Sequence, residues 1–240
     1  MIALLVGLAV VLLIAVAQLP PVGSTQTPVH THVSAHYVEH GVAETGAPNL
    51  VTAVLLNYRG LDTFGEILVL FTALSAGLAV LLTAAGPGRR LHDKAAGSGN
   101  GEQAVIEVSP IVSFIVRLLA PFVALFGVYV ILHGHVEPGG GFQGGMVLAA
   151  LFIALRFVLG EPAASRLLPA GLRPWLYAAA PLAFVAVGMA GLALTGHFLG
   201  YPTDPSFYLV REAMLIVLEV AVGVGSMVVI AGLFLAMERA

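Results

Sequence analysis

The chain is a succession of long apolar runs that carry almost no charge. Ile2 to Leu19, Ile67 to Ala85, Pro110 to Leu132, Met146 to Leu159, the run opened by Trp175 and Phe207 to Met237 alternate with short polar pieces. A membrane-crossing helix needs roughly twenty apolar residues, and most of these runs approach or exceed that length. Only 10% of the 240 residues are charged, whereas a soluble domain carries about 25%. The expected fold is an all-α integral membrane protein of six transmembrane helices. The chain contains no cysteine, which excludes disulfides, thiolate metal sites, iron–sulfur ligation and cysteine nucleophiles. A net charge of -3 argues for no charged partner, and no basic patch suggests nucleic acid.

The first run ends at Pro20-Pro21, which stops a helix. It has no Lys or Arg before its apolar part, unlike a signal peptide, so a retained first helix is expected. Pro20 to Pro48 is polar and reads as irregular. His32, His36 and His40 there are spaced i, i+4, i+8 and would share a face if helical. They read either as a metal site or as an exposed interfacial helix. Asn49 to Arg59 is too short to span. Arg59-Gly60-Leu61-Asp62-Thr63-Phe64-Gly65-Glu66 then leads into the second span. With Asp62 as a cap, Glu66 lies in the first turns, where the helix dipole favours a carboxylate. Arg59 is its plausible counter-charge. Glu66 reads equally as an ion-path residue or as part of a capped helix start.

Gly86 to Ser109, with Arg89, Arg90, Lys94 and the Gly/Ser-rich piece Gly97 to Gly101, reads as a cytoplasmic linker. It divides the chain into an N-terminal two-helix module, 1–85, and a C-terminal four-helix module, 110–240. Between helices 3 and 4 lies His133-Gly134-His135-Val136-Glu137-Pro138-Gly139-Gly140-Gly141-Phe142-Gln143-Gly144-Gly145. So many glycines beside a proline exceed what a hairpin turn needs. We read the stretch as non-helical backbone near or inside the bilayer, which is tolerated only when packed in protein or lining a wet cavity; the alternative is a flexible loop. Gly188 and Gly191 give the fifth helix a smooth patch for close packing.

Charges within spans are the candidate functional groups. Glu219 lies deep in the sixth run, on the same face as Glu212. Ionisable residues at such depth mark ion or proton paths. Arg117, in the third run, is its natural partner, and a static Glu219–Arg117 lock is the competing reading. His133 and His135 suit proton relay by their ordinary pKa, or else bond carbonyls freed by the broken helix. Placing both termini inside puts Arg89, Arg90, Lys94, Arg166, Arg173 and Arg239 on the cytoplasmic side. The histidine-rich segment and the glycine break then face outward. No nucleophile–base pair and no phosphate-binding loop is present, so neither enzyme chemistry nor a cofactor or metal is expected in this chain.

Two stretches carry a family resemblance. Val33 to Ala85, especially Thr45 to Ala53 and Arg59 to Glu66, resembles the C-terminal end of the large A subunit of Mrp-type multisubunit Na+/H+ antiporters, and equally the small E subunit of membrane-bound hydrogenases. Pro110 to the C-terminus resembles the antiporter B subunit, the MnhB family, through His133-Gly134-His135 and Pro138-Gly139-Gly140-Gly141-Phe142-Gln143-Gly144-Gly145. The resemblance implies a membrane component of a cation/proton antiporter in the bacterial inner membrane. Its implied partners are the A, C, D and small subunits, Na+, H+ and lipid, with Glu66 on the ion route. It equally allows a component of a redox-driven complex such as a membrane-bound hydrogenase. Asp62, Arg59, His133, His135, Glu219 and Arg117 complete the candidate path.

Overall fold

The computed structural model describes residues 2–84 and 108–238. All of their regular structure is helical. The expected linker lies largely outside the described residues, as do Arg89, Arg90, Lys94 and Arg239. The chain divides into two units, Met1–Gly41 and Val42–Ala240.

The first unit holds α1, Ile2–Ala17, and a polar helix that opens with a π-turn at Val29–Val33 and continues as α2, Ser34–Thr45, into the second unit. The stretch expected to be irregular is therefore partly helical. No residue of α1 is buried. At 16 residues it is shorter than the apolar run that contains it, because the chain leaves the helix ahead of Pro20-Pro21. His36 and His40 stack with ring centroids 4.8 Å apart. Among the described residues no three His, Asp or Glu side chains converge to hold a metal.

In the second unit Asn49 starts α3, Leu50–Thr52: its side-chain oxygen accepts the Val51 N–H at 3.0 Å, satisfying a donor that helix starts leave orphaned. The helix widens into a π-turn, Ala53–Tyr58, and breaks at Arg59 before α4, Gly60–Ala84. The carbonyls freed there are taken by side chains. Thr63 Oγ1 donates to Leu55 O at 2.6 Å, and the Tyr201 hydroxyl to Leu56 O at 2.9 Å. Buried backbone acceptors require such partners.

The remaining helices are α5, Pro110–Leu132; α6, Gly141–Leu159; the short α7, Glu161–Leu167; α8, Arg173–Thr195; and α9, Tyr208–Glu238. Among the described residues five helices are long and apolar enough to cross a membrane: α4, α5, α6, α8 and α9. With the shorter apolar α1, they make this an all-α membrane protein.

The long helix α9 is central. It packs against α4, α6 and α8, and α5 packs on α6. One apolar cluster joins Leu56, Ile67, Phe184 and Tyr201 to Leu215, Leu218 and Val222 of α9. A second, further along α9, joins Phe152 and Leu168 to Val228, Ala231 and Leu235. Beyond it Arg156 of α6 is buried and pairs with Glu238 at 2.9 Å. The smooth patch of α8 is covered by a loop: Gly188 faces the ring of Phe198, and Gly191 faces the backbone of Gly200. The segment 196–204 folds back along the helix, with Leu199 N–H donating to Gly188 O at 3.3 Å.

Candidate functional site

The glycine-rich stretch is only half broken. α5 ends at Leu132, the chain is irregular over 133–140, and α6 begins at Gly141, so Phe142 to Gly145 are helical rather than non-helical as expected. Each half has its own reason for glycine. In the irregular half Gly139 and Gly140 adopt φ values of 157° and 138°, a region costly for any side chain. In the helical half the glycines allow close approach. A Cβ on Gly141 would come within 2.7 Å of Val222 Cβ and 2.9 Å of Gly223 N. On Gly144 it would meet Gly127 O at 2.6 Å, and on Gly145 the Ser226 side chain. These contacts draw α6 against α5 and α9 at backbone distance, the small-residue packing that membranes favour.

That approach brings the break to Glu219. The carboxylate is 3% exposed and lies about 16 Å along α9 from Tyr208, at roughly 1.5 Å per residue. Its Oε2 accepts the backbone N–H of Gly141. Its Oε1 lies 2.9 Å from the hydroxyl of Thr52, which is also 2.7 Å from Gly134 O. A Cβ on Gly134 would sit 3.0 Å from the Glu219 Oε1, and one on Gly140 would sit 3.4 Å from its Oε2. The break is thus a cradle free of side chains, shaped around one carboxyl group.

Asn49 holds the cradle in place. Its amide donates to Gly134 O at 2.6 Å and Glu137 O at 2.8 Å, and its backbone N–H donates to His135 O at 3.1 Å. A small cavity of about 20 Å³ adjoins the carboxylate, lined in part by Thr52, Thr63, Gln143 and Phe142. Such a volume admits one water molecule.

The other expected residues are dispersed. Arg117 is exposed and does not pair with Glu219. It lies about 22 Å from the break end of α5 at 1.5 Å per residue, whereas Glu219 touches the break. In place of the competing lock with Arg117 the carboxylate has neutral donors, and among the described residues Glu219 has no ion-pair partner within 4.0 Å. His133 is exposed, stacks on Tyr129 at 4.3 Å and places Nδ1 3.2 Å from Tyr129 O, a carbonyl at the helix end. His135 is buried, with Nε2 3.8 Å from Glu212 Oε1 and Nδ1 without a partner. Pro138 sits in the irregular part of the break.

Arg59 and Asp62 form an exposed pair at 2.5 Å at the start of α4. Asp62 lies inside the first turn rather than capping it. Glu66, one turn on, is exposed and lines an open, apolar groove of about 490 Å³ with Val69, Leu70, Phe142, Met146, Ser226 and Ile230. Phe142 borders both this groove and the Glu219 cavity.

Sequence reasoning missed Thr52, Thr63, Asn49 as a clamp, and Tyr201. Asn49 had a legible signal as a cap ahead of an apolar run. The two threonines had none. Burial, and then the charge of Glu219, push the Tyr201 phenol up. Nearby in the loop, Asp204 is held below the ordinary carboxylate range by the Ser206 hydroxyl and backbone N–H.

The fold and site define a multi-pass helical membrane protein whose buried carboxylate is held by the hydroxyl of Thr52 from α3 and the first backbone N–H of α6. Residues 111–235 match the family described as a domain related to the MnhB subunit of Na+/H+ antiporter, and residues 1–90 match the MbhE family, the E subunit of MBH. The chain belongs to the MnhB-related family. It is 30% identical over 156 residues to an uncharacterized protein of Methanocaldococcus jannaschii, covering 63% of this chain and 59% of that protein. It is 28% identical over 194 residues to the A/B subunit of a probable K+/H+ antiporter of Rhizobium meliloti, covering 73% of this chain and 18% of that protein. It therefore spans about three fifths of one curated relative and a fifth of the other. Among solved structures, a chain of the membrane-bound sulfane sulfur reductase, an archaeal respiratory membrane complex, superposes with TM-score 0.68 at 28% identity, covering 98% of this chain and 96% of that one. A chain of the Mrp complex from Dietzia superposes with TM-score 0.62 at 25% identity, covering 97% and 25% respectively.

Proposed function

We propose that this chain is a non-enzymatic membrane subunit of a Mrp-type cation/proton antiporter, contributing to the ion path and to assembly. The observation that carries the reading is Glu219: a buried carboxyl group in a membrane helix, without a cation partner, beside a water-sized cavity and held by backbone that the glycine break frees. Intramembrane carboxyl groups in such settings belong to ion and proton routes. Glu66, exposed on its groove, is the second station, reached past Phe142. Asp62 and Arg59 lie at the mouth of α4, and His133 and His135 at the break. Family membership supports Na+ and H+ as cargo and the A, C, D and small subunits as partners. The charge distribution supports a cell-membrane location with both termini cytoplasmic.

A second reading is favoured by one observation. The sulfane sulfur reductase chain matches this one over nearly the full length of both. In that reading the same module couples ions to a redox reaction carried out by other subunits.

The test is Na+/H+ exchange by the assembled complex in inverted vesicles, with Glu219→Gln and Glu66→Gln made separately. Each is expected to lower exchange at least tenfold while leaving the complex assembled. Unchanged exchange in both variants would sink the ion-path role. Mass spectrometry of what co-purifies separates the two readings, since companions bearing iron–sulfur or nickel sites select the redox complex.

A further inference from the structure

Around Glu219 there are more short oxygen–oxygen contacts than a single hydroxyl hydrogen can serve. Thr52 Oγ1 lies 2.7 Å from Gly134 O and 2.9 Å from Glu219 Oε1. A threonine has one hydrogen to give. Both contacts hold a hydrogen only if Glu219 supplies the second, as Oε1–H donating to Thr52 while Thr52 donates to Gly134 O. Gly141 N–H meanwhile bonds Oε2, so the neutral acid has every polar atom satisfied.

The ionised form is satisfied as well. Thr52 then rotates its hydrogen to Oε1 and gives up Gly134 O. That carbonyl is not orphaned, because the Asn49 amide donates to it at 2.6 Å in either state. The proton that leaves Oε1 has an acceptor position in the adjoining cavity, where one water fits. No backbone movement is needed between the two states.

The charged and titratable groups around the cradle are few. Tyr201 comes from the loop 196–204, and its hydroxyl donates to Leu56 O at 2.9 Å rather than to Glu219. Glu212, earlier on α9, faces His135 of the break. Asp62 and Glu66 of α4 are exposed. The start of α6 and all of α3 contribute no charged side chain.

We propose that Glu219 is a reversible proton-binding site, and that Thr52 is a positioning residue whose hydroxyl switches between Gly134 O and the carboxylate as the proton comes and goes. The inference deepens the reading above, on which it rests, by assigning the proton rather than a metal cation to this station.

Difference infrared spectroscopy on the full chain, purified in mild detergent with its companions, tests it. The expected result is a carbonyl band of a protonated carboxylic acid that grows as pH falls, shrinks reversibly as pH rises and is absent in Glu219→Gln. Glutamine keeps the donor to Thr52 and the acceptor for Gly141, so that variant is expected to assemble. Thr52→Val is expected to move the band frequency and Thr52→Ser to restore it. This comparison stands on the native Glu219 even where the glutamine variant fails to fold. A spectrum in which every protonated-carboxyl band survives Glu219→Gln overturns the proton site. A band unmoved by Thr52→Val overturns the switch. Exchange lost in Glu219→Gln without any titrating band keeps the transport reading and removes this one. A titrating band with exchange intact does the reverse.

Discussion

Glu219 and Glu66 are carboxylates in apolar helices of the same chain, and their surroundings are opposite. Glu219 is 3% exposed, and the donors that satisfy it come from this polypeptide: Thr52 from α3 and the Gly141 N–H at the start of α6. Glu66 is exposed on an open groove whose other walls are apolar apart from Ser226. An ionisable group in a span is paired or faces water. The chain supplies that condition itself for Glu219 and does not supply it for Glu66.

The glycines beside the two residues give the sharpest way to break that comparison. Gly141→Ala places a methyl group against Glu219 O, 2.7 Å from Val222 Cβ. Overpacking of this kind costs about 1–3 kcal/mol, and the thermal midpoint of the detergent-solubilised chain should fall clearly. Gly65→Ala, next to Glu66, meets nothing within 4 Å. It should leave the midpoint unchanged or slightly raised, since alanine is the better helix former by up to about 1 kcal/mol. Equal losses in the two variants would mean that the Glu66 side is as tightly finished as the other.

A smaller effect is expected at Asn49→Ala. It removes the donors to Gly134 O and Glu137 O and the helix cap, and loss of such a cap costs about 0.5–2 kcal/mol. At Gly134 O, Thr52 remains as a donor. Hydrogen exchange of the 133–140 backbone should speed up while that of α4 around Glu66 stays constant. The smallest effect belongs to Asp62→Asn. It breaks an exposed ion pair with Arg59, a class worth about 0–1 kcal/mol. A large loss of stability in that variant would show that the mouth of α4 is not the open surface its exposure indicates.

Much of the architecture was legible in the residues. The runs Pro110–Leu132 and Phe207–Met237 coincide with α5 and α9 almost to the residue, because apolar length and terminal polar residues set the ends of such helices. The glycine stretch was legible as a break, and Glu219 as a buried charge. That the two are one site was not. A Glu in the last helix and a Gly–Gly–Gly far earlier in the chain share no periodicity, and only the close approach of α6 to α9 brings them together. The expected Glu219–Arg117 pair failed for the same reason: a sequence states which charges lie in spans, but not at what depth each faces which neighbour. The helical register of Gly141 to Gly145 was hidden because the same glycines serve a turn in one half and helix packing in the other.

The sequence by itself determined that this chain enters a membrane, where its longest apolar helices run, and which family it belongs to, because burial of apolar length and an unusual glycine motif are one-dimensional properties. Only the tertiary structure decided that Thr52 and the Gly141 N–H close on Glu219 within a break clamped by Asn49, and that Glu66 stands open. Hydrogen-bond satisfaction is a three-dimensional condition: which donor meets which acceptor depends on distances between segments that the order of residues does not contain.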